Sequence, residues 1–327
     1  MVDLAIADIH LSEKARDQYR FETMKLVTRL IKQYQPERLL VLGDLTEAKD
    51  YHPAPLVNAV VDLFYDWSWL TEVTILLGNH DYTQIDCPFF HFLRRVERIS
   101  WIIHPTELKL DIGRCLFLPH TRNHKQDWKN IGESYDWIFA HNTFEGALTE
   151  HGKRLSGIPL NVLPKGEIIS GDIHTPQKLG AFFTYVGAPY QVDFGDDFEP
   201  RALLLSKREY TSISLPGPQK QLIELKTSYK LDRLKINKGD IVKVRYQLTP
   251  EEQPDWINIK ERITEQMLKL GITVHLVQPE TSLIKVRHVN IRKAETKSDE
   301  HVMQEFGSQK KVPKSTMNVG MDLLGEA

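Results

Sequence analysis

Five short apolar runs in this chain are each followed directly by acidic, amide or imidazole residues. The runs have the length and aliphatic content of buried strands, and amphipathic helical segments separate the first three. Because ligands bind outside the carboxyl ends of strands in open α/β sheets, we expect these polar side chains to meet in one crevice. The polar segments are Asp8-Ile9-His10, Gly43-Asp44, Gly78-Asn79-His80-Asp81, His141 and Gly171-Asp172-Ile173-His174.

The order of the predicted elements indicates an α/β fold. Strands are predicted at 2–7, 38–42 and 73–77, and the intervening segments 16–34 and 55–66 have helical spacing of apolar residues. This alternation of strands and helices is typical of layered α/β domains. Further strands are predicted at 114–118, 137–140, 167–170, 182–186 and 202–205.

The chain is predicted to have three parts, with the first boundary near Pro216-Gly217-Pro218. Residues 1–218 form the large domain, 219–293 a small α+β unit, and 294–327 a polar tail without periodicity. The tail ends in an apolar cluster, 321–324, which is either incidental or a segment that docks on a partner. Within the small unit, strands are predicted at 240–248, 272–277 and 282–289, and a helix at 254–270.

The charge of the chain is distributed unevenly. Its formal net charge of −2 does not by itself indicate a nucleic-acid-binding protein. However, residues 1–200 hold 20 Lys and Arg against 28 Asp and Glu, whereas residues 201–295 hold 18 against 11. An acidic part joined to a basic part is typical of a metal site beside a surface that binds a phosphate backbone. The alternative is a chance asymmetry of solvated surfaces.

Targeting and membrane signals are not apparent in the sequence. No apolar run approaches the roughly 20 residues that a membrane helix requires. The N-terminus enters a strand-like segment without a preceding basic region, so no signal peptide is predicted. Two cysteines, Cys87 and Cys115, do not indicate a disulfide framework. We therefore expect no membrane association and a location in a bacterial cytoplasm, or in the host cytoplasm for a phage-encoded protein.

The spacing of the polar residues is consistent with metal binding. Residues i and i+2 of an extended segment point the same way, so Asp8 and His10 can reach one ion, as can Asp172 and His174. Carboxylate, imidazole and amide ligands without thiolate suit Mn²⁺, Fe²⁺ or Zn²⁺. Each motif alone is commonly an ordinary turn or surface segment. All five in this order, each after a strand-like run, favour a metal centre.

These motifs resemble those of the calcineurin-like metallophosphoesterase family, whose signature is D-x-H, G-D, G-N-H-[DE], a lone His and G-H-x-H. The resemblance covers roughly residues 2–215. It implies a four-layer α-β-β-α sandwich, with the small unit as a C-terminal cap, and two divalent metal ions. It further implies that His80 is catalytic and not a ligand, and that Asp44 bridges both ions. The remaining ligands implied are Asp8, His10 and His174 for one ion, and Asn79, His141 and Asp172 for the other.

Within the family, the chain is similar to the SbcD-type nuclease subunit of DNA double-strand-break processing. The similarity lies in Thr175-Pro176-Gln177, in the loop Tyr185–Tyr190, in Asp193-Phe194-Gly195 and in the small unit after residue 220. It implies exo- and endonuclease action on DNA, a homodimer and an SbcC-type coiled-coil ATPase partner. It also makes His52 a candidate near the substrate, although a solvated loop histidine is the alternative.

One position departs from the family pattern, since Asp172 stands where the first histidine of G-H-x-H is usual. A carboxylate still binds metal but is harder and anionic, which favours Mn²⁺, with Mg²⁺ possible. Two alternative functions remain open at this point. One is a metallophosphoesterase that acts on a nucleotide or phosphoprotein, and the other is a non-catalytic scaffold that binds DNA ends.

Overall fold

Two β-sheets of six strands each lie face to face in the computed structural model of this chain, which describes residues 1–149, 151–207, 209–227, 229 and 234–281. The helices are α1 (Gln18–Tyr34), α2 (Ala54–Leu70), α3 (His124–Asp127) and α4 (Trp256–Lys269). The strands are β1 (Asp3–Ile6), β2 (Arg38–Leu42), β3 (Glu72–Leu76), β4 (Ile99–Ile102), β5 (Thr106–Leu110), β6 (Gly113–Leu118), β7 (Ser134–His141), β8 (Lys165–Gly171), β9 (Gln177–Lys178), β10 (Phe183–Tyr185), β11 (Arg201–Leu205), β12 (Tyr210–Ser214), β13 (Lys220–Leu225), β14 (Ile241–Leu248) and β15 (Thr273–Thr281).

Both sheets have a parallel centre. The first sheet has the order β12-β11-β1-β2-β3-β4, in which β1 to β4 run parallel and β11 pairs antiparallel with β1. The second has the order β5-β6-β7-β8-β10-β9, in which β6, β7, β8 and β10 run parallel. This arrangement brings the carboxyl ends of β1, β2 and β3 toward those of β7 and β8, where the polar motifs begin.

The inner faces of the two sheets form a continuous apolar layer. Ala5 and Leu40 of the first sheet are buried with Phe117, Phe139 and Ile169 of the second. Strand residues alternate between two faces, so the neighbouring residues pack outward. On the outer side of the first sheet, Leu4 and Val41 lie in a core with α1 and α2.

The outer face of the second sheet is covered differently. Ile138 and Ala140 of β7 pack against Trp128, Phe144 and Ala147, which belong to loops that follow β6 and β7. The segments that cover this outer face form the fourth layer of the sandwich. Within the described residues, the helical structure of this layer consists of the single turn α3 and a 3₁₀ segment, Leu160–Val162. The predicted metallophosphoesterase sandwich is therefore confirmed, with a fourth layer made mainly of loops.

The segment after Pro218 forms a three-stranded sheet, β13-β14-β15, with α4 packed on one face. Val242, Val244 and Tyr246 of β14 point into this small core, and Ile259 and Ile263 of α4 meet them. The predicted strand 282–289, the cap residues 282–293, the tail 294–327 and its cluster 321–324 all lie outside the described residues. The division into these three parts remains a prediction.

The predicted strands and helices mostly match observed elements, with two kinds of difference. The helix predicted at 55–66 extends over Ala54–Leu70, because Trp67 continues its buried face. Five strands were not predicted, and three of them, β5, β9 and β12, have no buried side chain. The other two are β4 and β13.

Among the residues that the structure describes, none of the helices is long and apolar enough to cross a membrane.

Candidate metal centre

Most of the candidate ligands lie on tight turns directly after strands. Asp8, His10, Asp44 and Asp172 all have positive φ angles, of 53°, 32°, 58° and 86°. Only two further non-glycine residues of the described chain share this conformation, Gln35 and Arg98. Non-glycine residues in the left-handed region carry strain that persists only where the surroundings hold them, and such positions cluster at functional sites.

Two glycines allow the ligand segments to approach one another closely. A Cβ atom on Gly43 would lie 2.2 Å from the Nδ1 atom of His141. A Cβ atom on Gly78 would lie 2.2 Å from the Oδ1 atom of Asp44. Any side chain at these positions would push a candidate ligand out of place, so glycine is required by close packing.

The first group of candidate ligands is Asp8, His10 and His174, which can each offer one atom within 4.8 Å of the others. The Nε2 atoms of His10 and His174 face each other at 3.1 Å. The Oδ2 atom of Asp8 and the Nδ1 atom of His10 are buried without a hydrogen-bond partner. A cation between these atoms would satisfy the carboxylate and would explain why two imidazole nitrogens converge.

The second group centres on His141, which is fully buried at the end of β7. Its Nδ1 atom donates to the carbonyl oxygen of Leu42 at 2.6 Å, so Nε2 is the nitrogen left for a ligand. That Nε2 lies 3.0 Å from the side-chain oxygen of Asn79 and 3.4 Å from Oδ1 of Asp44. Without a cation, the Asn79 amide would be better rotated to donate its nitrogen to both neighbours. With a cation, the oxygen is the correct ligand atom.

Asp44 lies between the two groups. Its Oδ2 atom is 3.4 Å from Nε2 of His10, and its Oδ1 atom is 3.4 Å from Nε2 of His141. One carboxylate thus presents a different oxygen to each histidine, which is the geometry required of a ligand that bridges two ions. The bridging role itself stays a prediction.

Asp172 lies next to His141 of the second group of candidate ligands. Its Oδ1 atom lies 3.8 Å from Nε2 of His141, and its Oδ2 atom accepts a hydrogen bond from Oγ1 of Thr143 at 2.5 Å. Its main-chain nitrogen donates to Oδ1 of Asp8 at 2.9 Å. One oxygen of Asp172 is therefore held by a hydroxyl, and the other is directed toward the ligand cluster.

His80 is beside the cluster but is held by other contacts. Its main-chain nitrogen donates to Oδ1 of Asp44 at 2.8 Å, and its Nδ1 atom donates to the carbonyl oxygen of Glu47 at 2.9 Å. Its ring meets that of His10 edge-on, with 4.8 Å between centroids. His80 could also form a ligand group with His10 and Asp44. Its assignment as a catalytic residue and not a ligand remains a prediction.

His52 lies on the loop that leads into α2 and is engaged locally. Its ring packs against Phe89 and Phe90, at centroid distances of 4.2 and 4.9 Å. Its Nε2 atom lies 2.8 Å from Oγ1 of Thr46 and 3.1 Å from the carbonyl oxygen of Ala48. The contacts hold the imidazole in place, and a contact with substrate stays a prediction.

Burial and mutual charge shift the pKa values of the cluster. Burial lowers the pKa of His10 to about 3, so its imidazole is neutral near pH 7 and keeps a lone pair for a cation. Burial raises the pKa of Asp8 to about 6. Burial alone would raise the pKa of Asp44 and lower the pKa of His141. The attraction between the two charged groups outweighs burial, so the pKa of Asp44 is lowered and that of His141 is raised. Positive charge between these groups is therefore favourable, whether from a proton or from a bound cation.

Asp81 was part of a predicted motif but had no predicted role. Its buried carboxylate accepts three main-chain hydrogen bonds, from Asp44 at 3.0 Å, Leu45 at 2.8 Å and Gly78 at 2.7 Å. It thus joins the loop after β2 to the loop after β3, and fixes Asp44 relative to Asn79. Its place directly after Asn79 and His80 was the signal for a role in positioning.

A second set of supporting contacts was missed, because Arg20 and Glu47 belong to no motif and the loop that ends at Tyr190 gave no sign of a contact with Ile9. Nη1 of Arg20, on α1, donates to the carbonyl oxygen of His10 and, at 2.8 Å, to Oε2 of Glu47. The hydroxyl of Tyr190 donates to the carbonyl oxygen of Ile9. These hydrogen bonds fix the main chain of the strained turn after β1. A buried arginine on a helix gives no sequence signal for such a role.

With the fold and the cluster described, the comparisons with known proteins define the class of protein. The family profile of the calcineurin-like phosphoesterases matches residues 4–178, which is more than half of the chain. The chain therefore belongs to the calcineurin-like phosphoesterase family, and its candidate ligands fit the dinuclear divalent metal centre of that family. A search of curated protein sequences finds no match.

Solved structures of several activities resemble the chain distantly. An archaeal phosphodiesterase is 12% identical with a TM-score of 0.37, and the match covers 66% of this chain and 100% of that one. The nuclease MPE of Pseudomonas putida is 16% identical with a TM-score of 0.36, covering 64% and 87%. A dimetal phosphatase from Danio rerio is 10% identical with a TM-score of 0.39, covering 66% and 99%.

Proposed function

We propose that this chain is a two-metal-dependent DNA nuclease of the SbcD type, which hydrolyses phosphodiester bonds by exo- and endonuclease action. The observation that carries the proposal is the position of Asp44, whose two oxygens each lie 3.4 Å from a different histidine of the ligand cluster. The sequence similarity to the SbcD-type branch and the basic small unit support DNA as the substrate.

In the proposed reaction, seven residues of the metal centre would bind the two ions, and His80 would transfer a proton. Asp8, His10 and His174 would hold one ion and Asn79, His141 and Asp172 the other, with Asp44 shared. Two ions, Mn²⁺ or alternatively Mg²⁺, would lower the pKa of the attacking water and neutralise charge on the phosphate. His80, whose Nδ1 donates to the main-chain carbonyl oxygen of Glu47, would give a proton from Nε2 to the leaving oxygen when both of its ring nitrogens carry a proton. His52 would lie along the path of the substrate.

The small unit supports a DNA-binding role through one face of its sheet. Lys243 and Arg245 alternate along β14 with the buried Val242 and Val244, so both basic side chains lie on the face opposite the small core. Two cations spaced along one strand suit contacts with a phosphate backbone. We propose that residues 219–293 act as a cap that holds DNA beside the metal centre.

The proposed partners follow from the same similarity. We propose a homodimer that works with an SbcC-type ATPase in DNA repair, recombination or replication in the cytoplasm. The tail 294–327 would provide the docking segment for the ATPase. Truncation after Thr296 is expected to leave Mn²⁺-dependent cleavage intact and to abolish co-purification with the ATPase, and retained co-purification would exclude the tail as the docking segment.

Charge reversal on the cap tests the DNA proposal. The double variant Lys243→Glu, Arg245→Glu should bind duplex DNA more weakly than wild type. A plot of log affinity against log salt concentration should also be less steep for the variant, because each phosphate contact contributes about −0.9 to the slope of that plot. The matched control is Lys260→Glu, Arg262→Glu on the exposed side of α4. Equal salt slopes for wild type and both variants would refute a DNA-binding role for this face.

A further inference from the structure

A cavity of about 410 Å³ lies between the segment that follows β4 and the segment that follows β6. Its volume falls within the range of sites for small organic groups, about 300–1,000 Å³. Five of its ten described lining residues are apolar, and two of the others are histidines. The residues that matter for its chemistry are Ile85, Ile103, Pro105, Pro119, His120 and Trp128.

The wall of the cavity nearest the metal centre is the segment 119–121. The main-chain nitrogen of Thr121 donates to the side-chain oxygen of Asn142 at 3.1 Å, and the amide nitrogen of Asn142 donates to the carbonyl oxygen of Pro119 at 3.3 Å. Asn142 directly follows His141, a candidate ligand. The His120 ring lies 6.4 Å from the His141 ring between centroids. The cavity and the second ligand group therefore share one wall.

His120 gives this wall a polar edge. Its Nδ1 atom lies 2.8 Å from the hydroxyl of Tyr82, which is itself buried. Its Nε2 atom has no hydrogen-bond partner among the described residues, and His120 lines the cavity. One nitrogen is thus fixed by the protein, and the other is available to a ligand.

The charges around the cavity limit what it can bind. Lysine and arginine are absent from the lining that the structure describes, whereas Asp86 and Asp127 are present. A phosphate group inside would meet the like charges of Asp86 and Asp127 without a lining lysine or arginine to offset them. An uncharged, flat group with polar edges suits apolar walls beside histidine donors or acceptors, of which the lining has two, His104 and His120.

We propose that this cavity binds the nucleobase of a nucleotide whose phosphate lies at the metal centre. The inference deepens the proposed function, because it rests on a phosphodiester substrate that carries a nucleoside. The base packs between the aliphatic walls and Trp128, and its polar edge meets Nε2 of His120. The enzyme therefore prefers phosphodiesters with a nucleoside over simple alkyl esters.

A pair of substrates with the same leaving group tests this preference. One is thymidine 5′-(p-nitrophenyl phosphate), and the other is methyl p-nitrophenyl phosphate, which lacks a nucleoside. For the wild-type protein with Mn²⁺, kcat/KM is expected to be roughly tenfold or more higher for the thymidine ester, the scale of one stacked base. A ratio near one would overturn the proposal.

Filling the cavity provides the matched comparison. Ile85→Trp and, separately, Ile103→Trp should bring the ratio toward one, because they lower kcat/KM for the thymidine ester more than for the methyl ester. The control is Ile257→Trp, the same change at a position that is 69% exposed on α4. An unchanged ratio in both cavity variants would also overturn the proposal. Hydrolysis of both esters without DNA cleavage would refute the DNA nuclease instead, while a high ratio would still support the nucleobase site.

Discussion

The Nδ1 atom of His80 lies 2.9 Å from the main-chain carbonyl oxygen of Glu47. A carbonyl oxygen can only accept a hydrogen bond, so Nδ1 carries the proton and Nε2 is the nitrogen free to act on a substrate. Glu47 also pairs with Arg20 through its carboxylate, and Arg20 donates to the carbonyl oxygen of His10. The proposed catalytic histidine and a proposed ligand thus share one supporting residue.

The role of His80 is tested by removing its ring. His80→Ala is expected to keep Mn²⁺ and DNA affinity but to slow cleavage by roughly 10²-fold or more, the scale of general-acid catalysis. Calorimetric titration with Mn²⁺ and single-turnover cleavage measure the two effects separately. Loss of an Mn²⁺ site in the variant would contradict this assignment and would make His80 a ligand with His10 and Asp44.

Glu47 is expected to support metal binding from outside the ligand set. Its Oε2 atom lies 4.0 Å from Nδ1 of His10, a buried atom without a hydrogen-bond partner. Glu47→Gln should weaken Mn²⁺ binding about tenfold, because groups that orient a ligand histidine typically contribute 10–100-fold in affinity. Glu22→Gln is the control, since Glu22 also pairs with a cation, Lys25, but on the outer surface of α1. Equal affinities for both variants by calorimetry would show that Glu47 does not orient His10.

Asp172 should determine which metal ions the second group prefers. Asp172→Ala is expected to weaken one metal site and to spare the other, because only one of its oxygens faces His141. Asp172→His should retain two ions and shift the preference from Mn²⁺ and Mg²⁺ toward Zn²⁺, since imidazole is a softer ligand. Metal content and activity across Mg²⁺, Mn²⁺, Co²⁺ and Zn²⁺ measure the effect. Two undiminished sites in the alanine variant would exclude Asp172 as a ligand.

Asp3 gives the fold a pH dependence that is separate from the metal centre. Burial raises the pKa of its carboxyl from 3.8 to about 7, and Arg38 opposes this only in part. The folded protein therefore binds a proton that the unfolded chain releases near pH 4. The resulting stability is full below pH 4 and is lost as pH rises through about 7.

The variant Asp3→Asn should remove most of this pH dependence. The free energy of unfolding of the variant minus that of wild type should increase from pH 5 to pH 8, by at most a few kcal/mol at about 1.36 kcal/mol per pKa unit, because only wild type loses stability over this range. Urea denaturation of metal-free protein at both pH values measures the difference. A difference between the two proteins that is the same at pH 5 and pH 8 would exclude a titrating Asp3.

The sequence predicted that the candidate ligands lie at strand ends, because each of them follows a run with a clear apolar pattern. The strand residues before Asp8 and Asp44 are buried, except for the half-buried Arg38, and Gly43 marks the turn before Asp44. By contrast, β5 and β12 have mostly partly exposed side chains, and β13 begins directly after a proline-rich turn. Periodicity therefore gave no strong signal for these edge strands.

The supporting contacts could not be predicted, because they join residues distant in sequence. Arg20 and Glu47 come from a helix and a loop whose relative position depends on the packing of α1 on the first sheet. The hydroxyl of Tyr190 reaches Ile9 across 181 positions of sequence. Such contacts depend on the tertiary fold, whereas the motif residues depend mainly on local strand ends.

Cleavage of end-labelled duplex and single-stranded DNA, with Mn²⁺ or with EDTA, tests the central claim most directly. Wild-type protein with Mn²⁺ is expected to shorten the labelled strands, and EDTA should stop the reaction. Asp44→Ala, purified in parallel, should bind neither ion tightly and should leave the DNA intact, because Asp44 faces both ligand groups. Intact DNA with wild-type protein and Mn²⁺, or cleavage by Asp44→Ala at the wild-type rate, would contradict a two-metal nuclease at this site.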